Sequence, residues 1–186
     1  SNITTTSALT ATTITGGTGV DTITLAGSVS NVATITGGAG ADVINLGASH
    51  TGGVKFVEAN GDSVAPSVVS LADSANHLFA VGDTITFANG VDVITNFITA
   101  VDSLDVTTAR APVTGIGTNA TALTATKELY FSGAYNATTH VFTIAAAGTG
   151  ADTLVVDTVD TVAATADTWV VLIGVGSASL GTSNFV

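Results

Sequence analysis

Cysteine and methionine are both absent from this 186-residue chain. Disulfide frameworks, thiolate zinc sites and cysteine nucleophiles are therefore excluded. Charge is scarce too: 9% of residues are charged, against about 25% in an average soluble domain. The 14 acids outweigh 3 bases and leave a net charge of −11. Lys55, Arg110 and Lys127 cannot build a phosphate-neutralising patch, which excludes most nucleic-acid binding and docking on anionic membranes. Two prolines are too few for a Pro-rich stalk or a collagen. No apolar run approaches the ~20 residues of a membrane helix, and the longest, 169–175, reads as a buried strand. With serine rather than methionine at residue 1, the chain is expected to be a processed product or an excised part of something longer, and its first residues carry neither the basic nor the apolar region of a removable signal.

Catalytic patterns are missing as well. There is no H-E-x-x-H helix, G-x-S-x-G elbow or phosphate loop. His50, His77 and His140 each stand beside a turn and read as solvated loop residues, so no enzyme is expected.

What fills the chain is threonine, with 34 copies, alongside valine, alanine and 21 glycines. Threonine and valine are β-branched and favour strands, while glycine interrupts helices. The expectation is an all-β protein. An acidic, Asp-rich chain also suits divalent cations, which take oxygen ligands.

Repeats sharpen this. Gly16-Gly17-Thr18-Gly19-Val20-Asp21-Thr22-Ile23-Thr24 returns 21 residues later as Gly37-Gly38-Ala39-Gly40-Ala41-Asp42-Val43-Ile44-Asn45. Half of each copy is a turn, whose glycines permit positive φ, and half is a strand with one inward side chain. Candidate strands begin at 12, 22, 33, 43 and 54, in alternating steps of 10 and 11. Every second turn then stacks on its predecessor at strand spacing, about 4.8 Å. Backbone carbonyls of one turn and the carboxylate of the next can converge on a cation that wants six to eight oxygens. The candidate ligands are Gly17, Gly19, Asp21, Gly38, Gly40 and Asp42, joined by Asn60 and Asp62 from the turn one rung further on. The opposite flank offers Asn31 and His50 in place of carboxylates, so metal is expected on one side only.

Both nonapeptides match G-G-x-G-x-D-x-U-x, and they resemble the calcium-binding repeats of RTX proteins. The resemblance implies a parallel β-roll, with Ca2+ as its cofactor. A second stretch contains Gly82-Asp83-Thr84-Ile85-Thr86-Phe87, Gly90-Val91-Asp92-Val93-Ile94-Thr95-Asn96-Phe97 and Asp102-Ser103-Leu104-Asp105-Val106. It is similar to the segment that closes the roll in serralysin-type secreted proteins, with Phe97 and Leu104 expected to plug its open end. The division that follows is a β-roll with closing segment over 1–106 and a mostly antiparallel β domain over 107–186. In the latter, strands at 128–131 and 140–144 are expected to flank a loop at 133–139, and Gly148-Thr149-Gly150-Ala151-Asp152 reads as a plain turn. The terminal Ser183-Asn184-Phe185-Val186 resembles a type I secretion signal.

With the low-charge, cysteine-free, Thr/Ala/Val/Gly-rich composition, the resemblance implies a structural surface-layer protein, secreted to a bacterial cell surface. Its implied partners are other copies of itself in a lattice, the type I secretion machinery and cell-surface polysaccharide, with no nucleic acid and no membrane insertion. The alternatives are the calcium-dependent export module of a secreted hydrolase and the terminal part of a large adhesin.

Overall fold

Alternation of threonine with an aliphatic residue makes strands with one buried and one outward face in β2 to β4 and β9, and strands throughout dominate the computed structural model. It describes residues 1–26, 29, 33–59, 61–71, 78–106, 121–122, 127–158 and 168–186. The protein is all-β. In chain order the strands are β1 (Asn2–Thr5), β2 (Thr13–Thr18), β3 (Thr22–Leu25), β4 (Ala33–Ala39), β5 (Val43–Asn45), β6 (Val54–Val57), β7 (Val68–Ser70) and β8 (Leu78–Phe79). They continue as β9 (Thr84–Thr86), β10 (Asp92–Thr95), β11 (Ser103–Asp105), β12 (Thr121–Ala122), β13 (Lys127–Asn136), β14 (Val141–Ile144), β15 (Asp152–Thr158) and β16 (Thr168–Ile173).

The chain alternates between two sheets as it advances. Strands β1, β3, β5, β10 and β16 pair in parallel, in that order, within a ten-stranded mixed sheet. Strands β2, β4, β6 and β11 form a separate four-stranded parallel sheet. Register stacks like on like: Ile3, Ile23, Ile44, Ile94 and Leu172 in one sheet, and Ile14, Ile35, Phe56 and Leu104 in the other. These residues meet in one apolar cluster. The strands expected to begin at 12, 22, 33, 43 and 54 begin at 13, 22, 33, 43 and 54.

Two long excursions interrupt the ladder, 58–91 and 107–167, and they supply the antiparallel strands. From β16 the large sheet continues through β15, β13, β14, β9 and β7. A second apolar cluster lies there, around Phe87, Phe142, Leu154 and Trp169. Strand β16 explains the long apolar run in the sequence: Val170 and Leu172 enter the first cluster, Trp169 and Val171 the second. A strand buried on both faces has no polar side to show.

Two local expectations need correction. The hairpin loop is shorter than 133–139, because β13 runs on through Gly133 to Asn136 and pairs with Val141. Gly133 sits inside a strand because a Cβ there would strike the Phe142 ring and the Thr143 carbonyl. Phe97 and Leu104 are buried as expected, at 6% and 0% exposure, yet they do not end the stack. Phe185 bridges in parallel to Leu104 and stacks on Tyr130 at 5.7 Å, while Asn184 donates to the Thr99 and Asp102 carbonyls, both at 2.8 Å.

Candidate metal centre

The Gly-rich turns link β2 to β3 and β4 to β5, and register places one upon the other: Gly17 faces Gly38 and Thr18 faces Ala39. A backbone bond joins them, Gly19 N–H donating to the Ala39 carbonyl at 2.6 Å, and Gly40 N–H continues the stack to the Asp62 carbonyl of the next turn at 2.9 Å. All four central glycines have positive φ: 127° at Gly17, 90° at Gly19 and Gly38, 142° at Gly40. At Gly38 and Gly40 a side chain is also barred sterically, because a Cβ would overlap the carbonyls of Gly17 and Gly19. Glycine is required here because backbone lies on backbone.

At the exit of these turns the aspartates form a ladder of their own. Asp21 N–H donates to Asp42 Oδ1 at 2.8 Å, and Asp42 N–H to Asp92 Oδ1 at 2.6 Å. Above them, the Ser1 ammonium pairs with Asp21 Oδ1 and holds that carboxyl below its usual range. Each carboxylate thus spends one oxygen on the neighbouring rung. The other oxygens, Oδ2 of Asp21, Asp42 and Asp92, are buried with no hydrogen-bond partner. Buried polar atoms are nearly always satisfied, so three such oxygens in one column stand out, although among the described residues no three acids or histidines come together as a ready metal-binding group. Burial raises the Asp42 carboxyl, with the Asp21 and Asp62 charges adding to the rise.

Of the residues singled out in the sequence, Gly17, Gly19, Asp21, Gly38, Gly40 and Asp42 lie together on this flank. Asp62 lies in the turn beneath Gly40, but its Oδ2 takes the Ala59 N–H at 3.3 Å within its own turn. Asn60 falls outside the described residues, as do Asn31 and His77. The ladder position below Asp42 belongs to Asp92. Its signal was in the sequence: Gly90-Val91-Asp92-Val93-Ile94 repeats Gly40-Ala41-Asp42-Val43-Ile44, at a distance that the first excursion disguises.

On the opposite flank the expectation of a solvated His50 is overturned. The residue is 5% exposed, with Nε2 2.8 Å from Asp102 Oδ2 and Nδ1 3.0 Å from the Gly47 carbonyl. Register presses its turn against the next one, whose acid it meets. Asp152 is occupied by backbone, accepting from Tyr135 N–H at 2.8 Å and Gly174 N–H at 2.9 Å. Among the described residues no helix is long and apolar enough to cross a membrane.

The class that fold and site define is an all-β protein with stacked parallel strands and a buried carboxylate column beside Gly-rich turns. No family model matches the chain, and no curated protein is significantly similar to it.

Proposed function

We propose that this chain is a calcium-set parallel β-roll of a secreted, non-catalytic structural protein of a bacterial cell surface, exported by type I machinery and assembled from copies of itself. The observation that carries the reading is the pair of in-register Gly-rich turns flanked by aspartate oxygens that are buried and unpartnered. Carboxylates of Asp21 and Asp42 and carbonyls of Gly17, Gly19, Gly38 and Gly40 are the ligands. Calcium bound there would supply the positive charge that a crowded, oxygen-rich column lacks, with a coordination number loose enough for carbonyl ligands.

Ligation only by the folded form couples metal to folding. Ordering Gly-rich turns costs roughly 1–2 kcal/mol per residue, and a metal at a hundredfold excess over its Kd returns about 2.7 kcal/mol per site. A chain kept loose where calcium is scarce and set where it is abundant is suited to export before folding. For assembly, the ten-stranded sheet ends at β7, which is paired on one side among the described residues. Open edges with little charge favour ordered association.

The test is light scattering and electron microscopy of the purified chain with calcium and with chelator. Calcium-dependent ordered assemblies are expected. A chain that stays monomeric at high concentration in millimolar calcium overturns the lattice role and favours an export module.

A further inference from the structure

The glycine that opens each motif is replaced once. Thr15 aligns with Thr36 and Thr36 with Val57, so the place of Gly16 and Gly37 falls to Glu58 in the next turn. In the first two turns this place lies against the ladder: a Cβ on Gly16 would come 2.6 Å from Asp21 Oδ2, and one on Gly37 would overlap Asp42 Oδ2. A side chain here is therefore aimed at the column, whose third aspartate is Asp92.

Glu58 is 1% exposed and Asp92 0%. The Glu58 and Asp92 carboxyls lie within hydrogen-bonding reach of each other, and beyond that contact neither Glu58 oxygen nor Asp92 Oδ2 has a hydrogen-bond partner. The two carboxyls act on each other electrostatically, and Asp42 and Asp62 add to the negative potential. Among the described residues the ion pairs join Ser1 to Asp21, His50 to Asp102 and Lys55 to Asp105, and none reaches Glu58 or Asp92. Two facing buried carboxylates without a counter-charge are strongly unfavourable.

We propose that Glu58 and Asp92 hold a divalent cation at a site separate from the Gly-rich turns. Hard, all-oxygen donors without histidine or thiolate select calcium over the transition metals. The proposal rests on the reading of this flank as a cation-binding face, but uses none of the ligands assigned to the motifs.

Trp169, the sole tryptophan, donates its backbone N–H to Ser63 Oγ at 2.7 Å, at the end of the turn that Glu58 begins. Tryptophan-sensitised terbium luminescence therefore reports on this turn. The experiment compares the full chain with Glu58→Gln and Asp21→Asn, by terbium luminescence with calcium competition and by calorimetric counting of calcium. Glu58→Gln is expected to bind one ion fewer and to lose at least tenfold of the tryptophan-sensitised signal, which Asp21→Asn retains. Equal ion number and equal signal in Glu58→Gln overturn the proposal. If Asp21→Asn alone loses ions, this site falls and the motif reading stands; if Glu58→Gln alone does, the reverse holds; if neither does, both fall. Should Glu58→Gln fail to fold, the wild-type chain decides, because absence of a calcium-displaced tryptophan-sensitised signal overturns the site.

Discussion

His50 and Asp102 form a buried pair across two successive turns, with Nε2 2.9 Å from Oδ1 and 2.8 Å from Oδ2. Asp102 also accepts the Val54 N–H at 2.8 Å and the Ile98 N–H at 2.7 Å. Both ring nitrogens thus meet oxygens, the Asp102 carboxylate at one and the Gly47 carbonyl at the other. On this flank an imidazole ties one turn to the next, the task that the proposed calcium would perform on the other. Asp102→Ala strands two amides and the ring, and is expected to cost about 3–5 kcal/mol in denaturant unfolding. The loss should be the same in calcium and in chelator. A loss that appears only in calcium would make Asp102 part of a metal site instead.

Gly19 and Gly38 share a φ of 90° but not their surroundings. A Cβ at Gly19 meets nothing within 4 Å, whereas at Gly38 it overlaps the Gly17 carbonyl. Gly19→Ala should cost about 1 kcal/mol, the conformational penalty alone. Gly38→Ala must also part the two turns and should lose at least twice that. Equal thermal midpoints for the two variants would mean that the turns do not lie in contact.

Asp42 and Asp105 are both ladder-side acids, yet only Asp42 has an orphaned buried oxygen. Asp105 forms a half-exposed pair with Lys55 at 2.5 Å, and exposed pairs contribute little. Asp42→Ala is expected to raise the calcium needed for β-structure at least tenfold. Asp105→Ala should leave it unchanged. Circular dichroism titrations with coincident midpoints would remove Asp42 from the site.

The ladder was legible because its period is local. Threonine alternation marks the first strands, β2 to β4, and the Gly-Gly-x-Gly-x-Asp spacing fixes which turns stack. What the sequence hid lies across the excursions. Asp92 joins Asp42 only because β10 docks on β5 past 58–91, and Phe185 reaches Leu104 only after β16 has joined the same sheet. His50 read as a loop residue because a lone histidine shows no partner until its acid, 52 residues away, is folded against it. Glu58 lacked a signal of its own. Only strand register reveals that it stands where a glycine stood.

Glu58 and Asp92 also set the pH dependence of the metal-free chain. Burial, and for Glu58 the Asp92 charge, raise the Glu58 carboxyl; burial above all raises Asp92, to about 7. Carboxyls with raised values make the folded state bind more protons than the unfolded one, so stability falls as pH rises. In chelator the loss should begin near the ordinary carboxylate range, about pH 4, steepen until Asp92 is ionised in the folded chain at about pH 7, and continue above that while Glu58 keeps its proton. Asp21 has the opposite sign: the Ser1 ammonium lowers it, so its contribution disappears only as pH falls below that same range. Measurements from about pH 5 to 8 therefore report on the raised carboxyls, Glu58 and Asp92 together with Asp42, free of Asp21. Calcium reverses the slope, because the ionised carboxylates are its ligands and protons compete for them. Denaturant midpoints should thus fall with pH in chelator and rise with pH in calcium. A midpoint that rises with pH in both buffers would show that the folded chain holds no extra protons on Glu58 and Asp92, and that their carboxyls are not raised.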